Sequence, residues 1–187
     1  MIASPGRIVL LAGIVVLSFV ACGPDYRNVR EYPIAGGPCR ALAVAACEDG
    51  DALGWVDAAG NFHLVWAETD LLAQIQSVAI APDGVRVAIV SVGEGHPVMT
   101  VYRVADLVAG GGRMGARLPA ETSVDPYPLT IEVVRWLDAD TVEFSSAIDF
   151  TRFDRALRRG GYDASGGEPP VRTWRWHLPS DAITPAP

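Results

Sequence analysis

The chain has 187 residues, and its 22 acidic and 15 basic residues give a formal net charge of −7 at neutral pH. This acidic balance argues against a nucleic-acid partner, because a phosphate backbone requires a basic surface. Every basic residue is arginine, so mechanisms that need a lysine Schiff base or a lysine general base are excluded.

An apolar run, Ile8–Val20, follows Arg7 near the N-terminus. A transmembrane helix needs about 20 apolar residues, so this run has the length of a signal-peptide core instead. The sequence Phe19–Cys22 resembles a bacterial lipobox. The resemblance implies a signal peptide over residues 1–21, cleavage before Cys22 and lipid on the Cys22 thiol. An ordinary signal peptide or an uncleaved anchor is the alternative.

The predicted location is the bacterial cell envelope, where lipid on Cys22 would hold the protein to a membrane, facing the periplasm. Gly23 follows the cysteine where an aspartate would suggest inner-membrane retention in an enterobacterial-type system, which favours the outer membrane. Residues 22–37 are polar with scattered aromatics and are predicted to form a tether. The β-rich domain is predicted over residues 38–181, and residues 182–187 are predicted to be a frayed tail.

Two cysteines, Cys39 and Cys47, are left after lipidation of Cys22. An even number in an oxidising compartment favours a disulfide. The stretch between them, residues 40–46, also has the pattern of a strand. Eight residues of strand span roughly 26 Å, whereas bridged Cα atoms lie about 5.5 Å apart. The two interpretations conflict, and the compartment favours the bridge.

Most of the domain alternates apolar and polar residues between short turn signals, which is typical of β-strands. The alternation falls into three units, at about residues 42–72, 77–107 and 131–178. In the second unit, the Pro-Asp-Gly sequence at residues 82–84 predicts a tight hairpin, because glycine readily adopts positive φ.

The segment Ser77–Ser91, with Pro-Asp-Gly at its centre, resembles the TolB-type, WD40-like β-propeller repeat, and Val101–Leu107 is similar to its closing strand. The resemblance implies an all-β fold of antiparallel meanders, as an incomplete or small β-propeller with one short helical insertion. A β-sandwich is the alternative. A propeller blade takes about 40 residues and closed rings use typically 4–8 blades, so an open stack with uncovered edge strands is expected. Such edges favour a binding role.

An insertion at residues 147–170 separates two strands of the third unit. Asp149 is placed to cap a short helix, and Gly160 would end it. The helix carries arginines on an otherwise acidic protein, and these are candidate partner-binding residues: Arg152, Arg155, Arg158 and Arg159. A solvated charged face is the alternative.

The tryptophans fall in strands and are predicted to be mostly core, with Trp55 and Trp174 as the candidate exceptions if one sheet face is open. Trp174, Arg103 and Arg175 form the candidate ligand-binding set. The histidines share no metal-ligand spacing, so neither a metal site nor a cofactor is predicted: they are His63, His96 and His177.

No catalytic motif survives a check of its structural context. The sequence therefore predicts a non-catalytic envelope lipoprotein with a binding or scaffold role that docks an envelope protein partner. A binder of a small molecule or a peptidoglycan or glycan fragment is the alternative, and an enzyme of unknown type is the least favoured reading.

Overall fold

The computed structural model describes residues 26–47, 50–67, 74–93, 96–110, 122–124, 131–152 and 170–187. These residues form three antiparallel four-stranded sheets, which we number in chain order. Sheet 1 contains β1 (Arg27–Pro33), β2 (Ala41–Cys47), β3 (Gly50–Val56) and β4 (Phe62–Ala67). Sheet 2 contains β5 (Gln74–Ile80), β6 (Arg86–Gly93), β7 (His96–Arg103) and β8 (Thr122–Val124). Sheet 3 contains β9 (Ile131–Trp136), β10 (Thr141–Ser146), β11 (Arg172–His177) and β12 (Ala182–Pro185).

Each sheet is a meander, because strands adjacent in the chain are also neighbours in the sheet. The hairpin predicted in the second unit is present between β5 and β6. Gly84 there has a φ of 70°, its amide donates to the Ala81 carbonyl at 2.9 Å, and the Val85 amide donates to Asp83 Oδ1 at 3.0 Å. The all-β, antiparallel fold class is therefore confirmed.

Sheet 2 contributes to both hydrophobic cores, because successive strand residues point to opposite faces. Val87 and Ile89 of β6 are buried in a core shared with sheet 1. Ala88 and Val90 of the same strand are buried in a core shared with sheet 3, which includes Trp174. Sheet 2 is thus the middle layer of the described stack.

A single described α-helix, α1 (Val104–Gly110), follows β7 directly. The sequence resemblance placed the closing strand of the repeat over residues 101–107, but the strand ends at Arg103. Val104 and Leu107 are both fully buried against the sheet 1 side. Their i, i+3 spacing puts them on one face of a helix. A helical turn after Arg103 therefore buries the apolar residues that the resemblance assigned to a strand. No helix in the described ranges is long and apolar enough to cross a bilayer.

Two segments that were predicted to lie outside the β-rich domain contain strands. The predicted tether contains β1, which pairs with β2 through partners such as Tyr32 and Leu42. The predicted tail contains β12, which pairs with β11, and Ile183 packs against the core of sheets 2 and 3. Both segments pair because the edges of β2 and β11 would otherwise leave backbone donors and acceptors unmatched.

The predicted disulfide is also wrong, since Cys39 and Cys47 are both free thiols. The strand interpretation of the residues between them holds instead, because β2 is extended over its seven residues. The Cα atoms at the two ends of such a strand lie roughly 20 Å apart, far beyond disulfide reach. Cys47 Sγ donates to the Gly50 carbonyl at 3.2 Å.

Candidate ligand-binding cleft

A cleft of about 460 Å³ opens on sheet 1, between the segment before β2 and the β3–β4 turn. Its volume falls in the range of small-molecule sites in proteins. The walls combine small and apolar residues with an aromatic ring and two charged side chains: Gly37, Pro38, Cys39, Arg40, Trp55, Asp57 and Ala58.

The first wall is a loop fixed at both ends by backbone hydrogen bonds. The Ile34 amide donates to the Arg40 carbonyl at 3.0 Å, and the Arg40 amide donates to the Val56 carbonyl at 2.9 Å. Gly37 passes so close to Ile34 that a Cβ there would lie 2.3 Å from Ile34 Cγ2. The loop is therefore held against sheet 1 and its position in the cleft wall is fixed.

The second wall is the β3–β4 turn, which Asp57 organises. Asp57 Oδ1 accepts from the Asn61 amide at 2.8 Å, and Asp57 Oδ2 accepts from Asn61 Nδ2 at 2.9 Å. Gly60 within the turn has a φ of 92°, a conformation that L side chains rarely adopt. Aspartate in such a turn is expected for backbone reasons.

His63 extends the Asp57 network to the indole of Trp55. His63 Nε2 lies 3.0 Å from Asp57 Oδ2, and the imidazole stacks on the Trp55 ring with 3.9 Å between centroids and 13° between planes. Trp55 and His63 are direct cross-strand partners, so their side chains share one face of the sheet. Hydrogen bonds from His63, and then from Asn61, hold the pKa of Asp57 well below its usual range.

The indole Nε1 of Trp55 is buried and has no hydrogen-bond partner among the described residues. Leaving a buried donor unpaired costs about 1–3 kcal/mol, and buried tryptophan N–H groups usually find an acceptor. Because Nε1 itself is enclosed by the protein, other atoms of Trp55 line the cleft.

The charged group on the opposite wall is Arg40. Its Nη2 donates to Glu31 Oε1 at 2.6 Å, with both side chains nearly half exposed. Nearby, burial raises the pKa of the Cys39 thiol, and a protonated thiol is a poor nucleophile. The cleft thus offers hydrogen-bond donors beside apolar surface.

Trp174 was predicted to take part in ligand binding, and this is wrong. Trp174 is fully buried between sheets 2 and 3, and its Nε1 donates to the Ser146 carbonyl at 3.3 Å. The other two members of the set lie in different sheets: Arg103 is exposed at the end of β7, and Arg175 lies on β11. The structure therefore does not bring the three residues into one site.

Arg175 belongs to a polar ladder on the outer face of sheet 3. Glu143 accepts from Arg175 Nε at 3.1 Å and from Arg135 Nε at 2.7 Å. Glu143 is buried by this arrangement, whereas the two arginines are exposed to different degrees. The two guanidinium groups, that of Arg135 first, lower the pKa of Glu143.

Most of the predicted partner-binding arginines lie outside the described residues: Arg155, Arg158 and Arg159. Arg152 ends a short 3-10 turn, Phe150–Arg152, where Asp149 Oδ1 accepts from the Thr151 amide at 3.1 Å. Docking through these arginines stays a prediction. Cys22 also lies outside the described residues.

The histidines do not converge. His63 pairs with Asp57, and His177 Nδ1 lies 2.8 Å from Ser180 Oγ. The His96 side chain lies outside the part of the protein that the structure describes. Among the described residues, no group of three histidine, cysteine, aspartate or glutamate side chains is placed to hold a metal ion.

Sequence reasoning named Trp55 as a candidate and missed its neighbours Arg40, Asp57 and His63. The available signal was the turn Asp57–Asn61, where a capping aspartate precedes a histidine that must share a sheet face with the tryptophan on the preceding strand. That inference needs the β3–β4 register, which the sequence left open.

Comparisons with known proteins bear on the fold. No protein-family model matches the chain, and no curated protein matches it. An uncharacterized protein of Listeria monocytogenes EGD-e, lmo1340, has a similar structure, with a TM-score of 0.55 and 12% identity. The likeness covers 85% of this chain and 40% of the Listeria chain, so this chain spans less than half of that protein.

A second solved structure is the AtxE2 isopeptidase with bound Astexin3-dC4. It has a TM-score of 0.46 and 14% identity, over 87% of this chain and 30% of that one. At this distance the likeness carries no conclusion. The first likeness shows a shared fold only.

Proposed function

We propose that this chain is a lipid-anchored protein of the bacterial cell envelope that binds a small polar ligand, such as a glycan or peptide fragment, without turning it over. The observation that carries the proposal is a cleft of about 460 Å³ whose walls include Trp55 and the charged residues Arg40 and Asp57.

The walls of the cleft support binding because they are held in place without a ligand. Asp57 fixes the turn and His63, and backbone hydrogen bonds at Ile34 and Arg40 fix the opposite loop. A preorganised site loses less conformational entropy when it binds.

The proposed anchor would keep sheet 1 within reach of the membrane. The lipobox resemblance implies lipid on Cys22, and β1 begins at Arg27. Five residue steps of fully extended chain span at most about 18 Å. Arg27 pairs with Ala46 at one end of β2, whereas the cleft lies beside Ala41 at the other end, so the cleft would be one strand length further from the anchor.

Docking of a protein by strand addition is less favoured at two outer edges of the stack. β1 carries a register shift between Arg27 and Arg30, and Asn28 within it has a φ of 52°. β12, at the edge of sheet 3, ends at Pro185. Bulges and prolines both obstruct the addition of another strand. Docking through the insertion at residues 147–170 stays open.

The test is retention of envelope fragments by the full lipidated protein in detergent micelles. A solubilised peptidoglycan digest is passed over the immobilised protein, and retained fragments are identified by mass spectrometry. Trp55→Ala, which removes a side chain that lines the cleft, is expected to lose retention. Trp136→Ala is the matched control, because Trp136 lies in sheet 3 and is not among the residues that line the cleft.

Equal retention by the wild-type and Trp55→Ala proteins would remove the cleft from the proposal. A folded wild-type protein that retains nothing would contradict the binding function itself.

A further inference from the structure

The two outer faces of the three-layer stack differ in chemistry. The outer face of sheet 3 carries the charged ladder that Glu143 forms with Arg135 and Arg175. The outer face of sheet 1, which is turned away from sheet 2, carries apolar side chains. The terminal layer of a stacked protein normally presents a polar outer face to water. Sheet 3 fits that role, whereas sheet 1 does not.

Alternation along the strands assigns the outer face of sheet 1. Leu42 and Val44 of β2 are buried in the core shared with sheet 2, so Ala43 between them points outward. The cross-strand partner of Ala43 is Gly54 of β3. A Cβ on Gly54 would lie 2.3 Å from Phe62 Cζ. The Phe62 ring therefore lies on the outer face, in the space that the missing side chain leaves.

Two further apolar side chains of this face stay partly exposed beside Phe62. Tyr26 contacts Phe62 with 4.8 Å between the ring centroids. Leu64 is the β4 partner of Gly54 and shares its face. All three apolar side chains are of intermediate exposure. The outer face thus presents two aromatic rings and a leucine to its surroundings.

Val29 of β1 extends this apolar surface. The next residue, Arg30, turns towards sheet 2, where its Nη2 donates to the Ile75 carbonyl at 3.1 Å. Alternation therefore directs Val29 to the outer face, and it is 46% exposed. Pro33, further along β1, is the partner of Ala41 and is also exposed.

The ion pair that borders this face is neutral as a whole. Glu31 is the cross-strand partner of Ala43, and its Oε1 accepts from Arg40 Nη2 at 2.6 Å. Apolar groups beside neutralised charge suit the headgroup region of a bilayer, where tyrosine rings are enriched. Water alone suits such a surface less well.

The proposed anchor would hold this face near lipid. Tyr26 lies four residues after Cys22, and four steps of fully extended chain span at most about 14 Å. Since Tyr26 packs on Phe62, the chain leaves the anchor and meets the domain on the outer face of sheet 1. We infer that this outer face lies flat against the lipid headgroups of the membrane. The inference rests on the lipid anchor of the proposed function, and it adds the surface with which the folded domain meets the bilayer.

The experiment uses the full lipidated protein in vesicles of phosphatidylethanolamine and phosphatidylglycerol, with and without a nitroxide quencher on the headgroups. Cys39→Ala and Cys47→Ser first remove the two free thiols. An environment-sensitive fluorophore is then attached to one introduced cysteine at a time. Val29→Cys and Pro33→Cys probe the outer face of sheet 1. Val171→Cys is the matched control, because Val171 is 56% exposed and directly precedes β11 of sheet 3.

The nitroxide headgroups are expected to remove most of the fluorescence at residues 29 and 33 and to leave that at residue 171 unchanged. Stacked sheets lie about 10 Å apart, so sheet 3 would be the layer farthest from the lipid. Residues 29 and 33 lie roughly 13 Å apart along β1, so quenching at both requires the sheet to lie flat.

Quenching at residue 29 without quenching at residue 33 would show that the domain stands on one end of its strands, which would overturn the inference. Equal quenching at all three positions would overturn it as well. A blue shift at residues 29 and 33 without any loss to the nitroxide would show that protein, such as a second copy, covers the face instead of lipid.

Mass spectrometry of the same sample separates this inference from the proposed function. If Cys22 carries lipid and residues 29 and 33 are not quenched, the inference fails and the anchored binding function stands. If Cys22 carries no lipid, the proposed anchor and the inference both fail.

Discussion

The imidazole of His63 lies nearly parallel to the indole of Trp55, with 3.9 Å between the ring centroids. His63 is held there by its contact with Asp57, 3.0 Å away. The turn that follows β3 therefore fixes the stack. Replacing Asp57 should loosen His63 and, through it, the packing of the Trp55 indole.

Replacing Asp57 with asparagine tests this coupling through pH. The pKa of Asp57 lies below its usual range because His63 and Asn61 bond to the carboxylate. A carboxyl group whose pKa is depressed on folding stabilises the fold above its unfolded pKa of about 3.9, and this stabilisation is lost as the pH falls through the folded pKa. The wild-type protein should unfold at higher urea concentration than Asp57→Asn at pH 6, and the difference should shrink towards pH 2. A constant difference would contradict the coupling.

Two identical substitutions should have unequal effects on stability. Trp136→Phe removes the donor to the Ala79 carbonyl, and the loss of a hydrogen bond with an unpaired partner left behind costs about 1–3 kcal/mol. Trp55→Phe removes a donor that has no partner. Its only cost is therefore the packing that is lost when the indole is replaced by a smaller ring. Urea unfolding should show the larger loss for Trp136→Phe. A larger loss for Trp55→Phe would mean that its indole N–H is paired.

The alternation of apolar and polar residues reveals three strands of each sheet but not the fourth. The strands that alternate regularly, such as β10, bury one face and are bounded by turn residues, so period two reveals them. The missed strands lack that signal: β1 is almost wholly exposed, β8 has three residues, and β12 contains Pro185. An edge strand does not need a particular pattern of apolar residues. It is recognised only by its hydrogen bonds to a neighbouring strand.

The site was less predictable than the fold, because alternation shows that a strand has two faces but not what covers each face. Trp55 and Trp174 have similar strand contexts in the sequence. Sheet 2 packs over Trp174 and buries it completely, whereas Trp55 borders a turn and stays partly exposed. Layer order distinguishes the two residues, and it depends on contacts far apart in the chain.

The two faces of β6 should be almost equally sensitive to truncation. Ile89→Ala opens a cavity towards sheet 1, and such changes cost about 2–5 kcal/mol. Val90→Ala opens a smaller cavity towards sheet 3 and should cost somewhat less. Thr173→Ala on the exposed face of sheet 3 is the control and should change stability by no more than about 0.5 kcal/mol. Tolerance of either β6 change in urea unfolding would contradict the placement of sheet 2 between two cores.

Cys39 and Cys47 should titrate as thiols without a reductant. In a Cys22→Ser variant, which leaves two cysteines, denaturation followed by iodoacetamide should label both in mass spectrometry. Under native conditions Cys39 should label slowly, because it is buried and its pKa is raised, and thiolate is the reactive form. A denatured protein that takes up no label until it is reduced would show a disulfide and contradict the extended β2.

Glu143 joins two arginines across the outer face of sheet 3, and its removal should weaken the sheet. Glu143→Gln would leave Arg135 and Arg175 side by side with no carboxylate between them. Hydrogen bonds to charged groups are worth about 1.5–3 kcal/mol, and exposure of both arginines reduces that value through solvent screening, so a loss of about 1 kcal/mol is expected at pH 7.

Because the pKa of Glu143 is lowered on folding, the loss should diminish below about pH 4 as the wild-type carboxylate is protonated. Glu132→Gln, an exposed glutamate of β9, is the control. A Glu143→Gln protein as stable as wild type at pH 7 would show that the ladder is a solvated surface arrangement that does not stabilise the sheet.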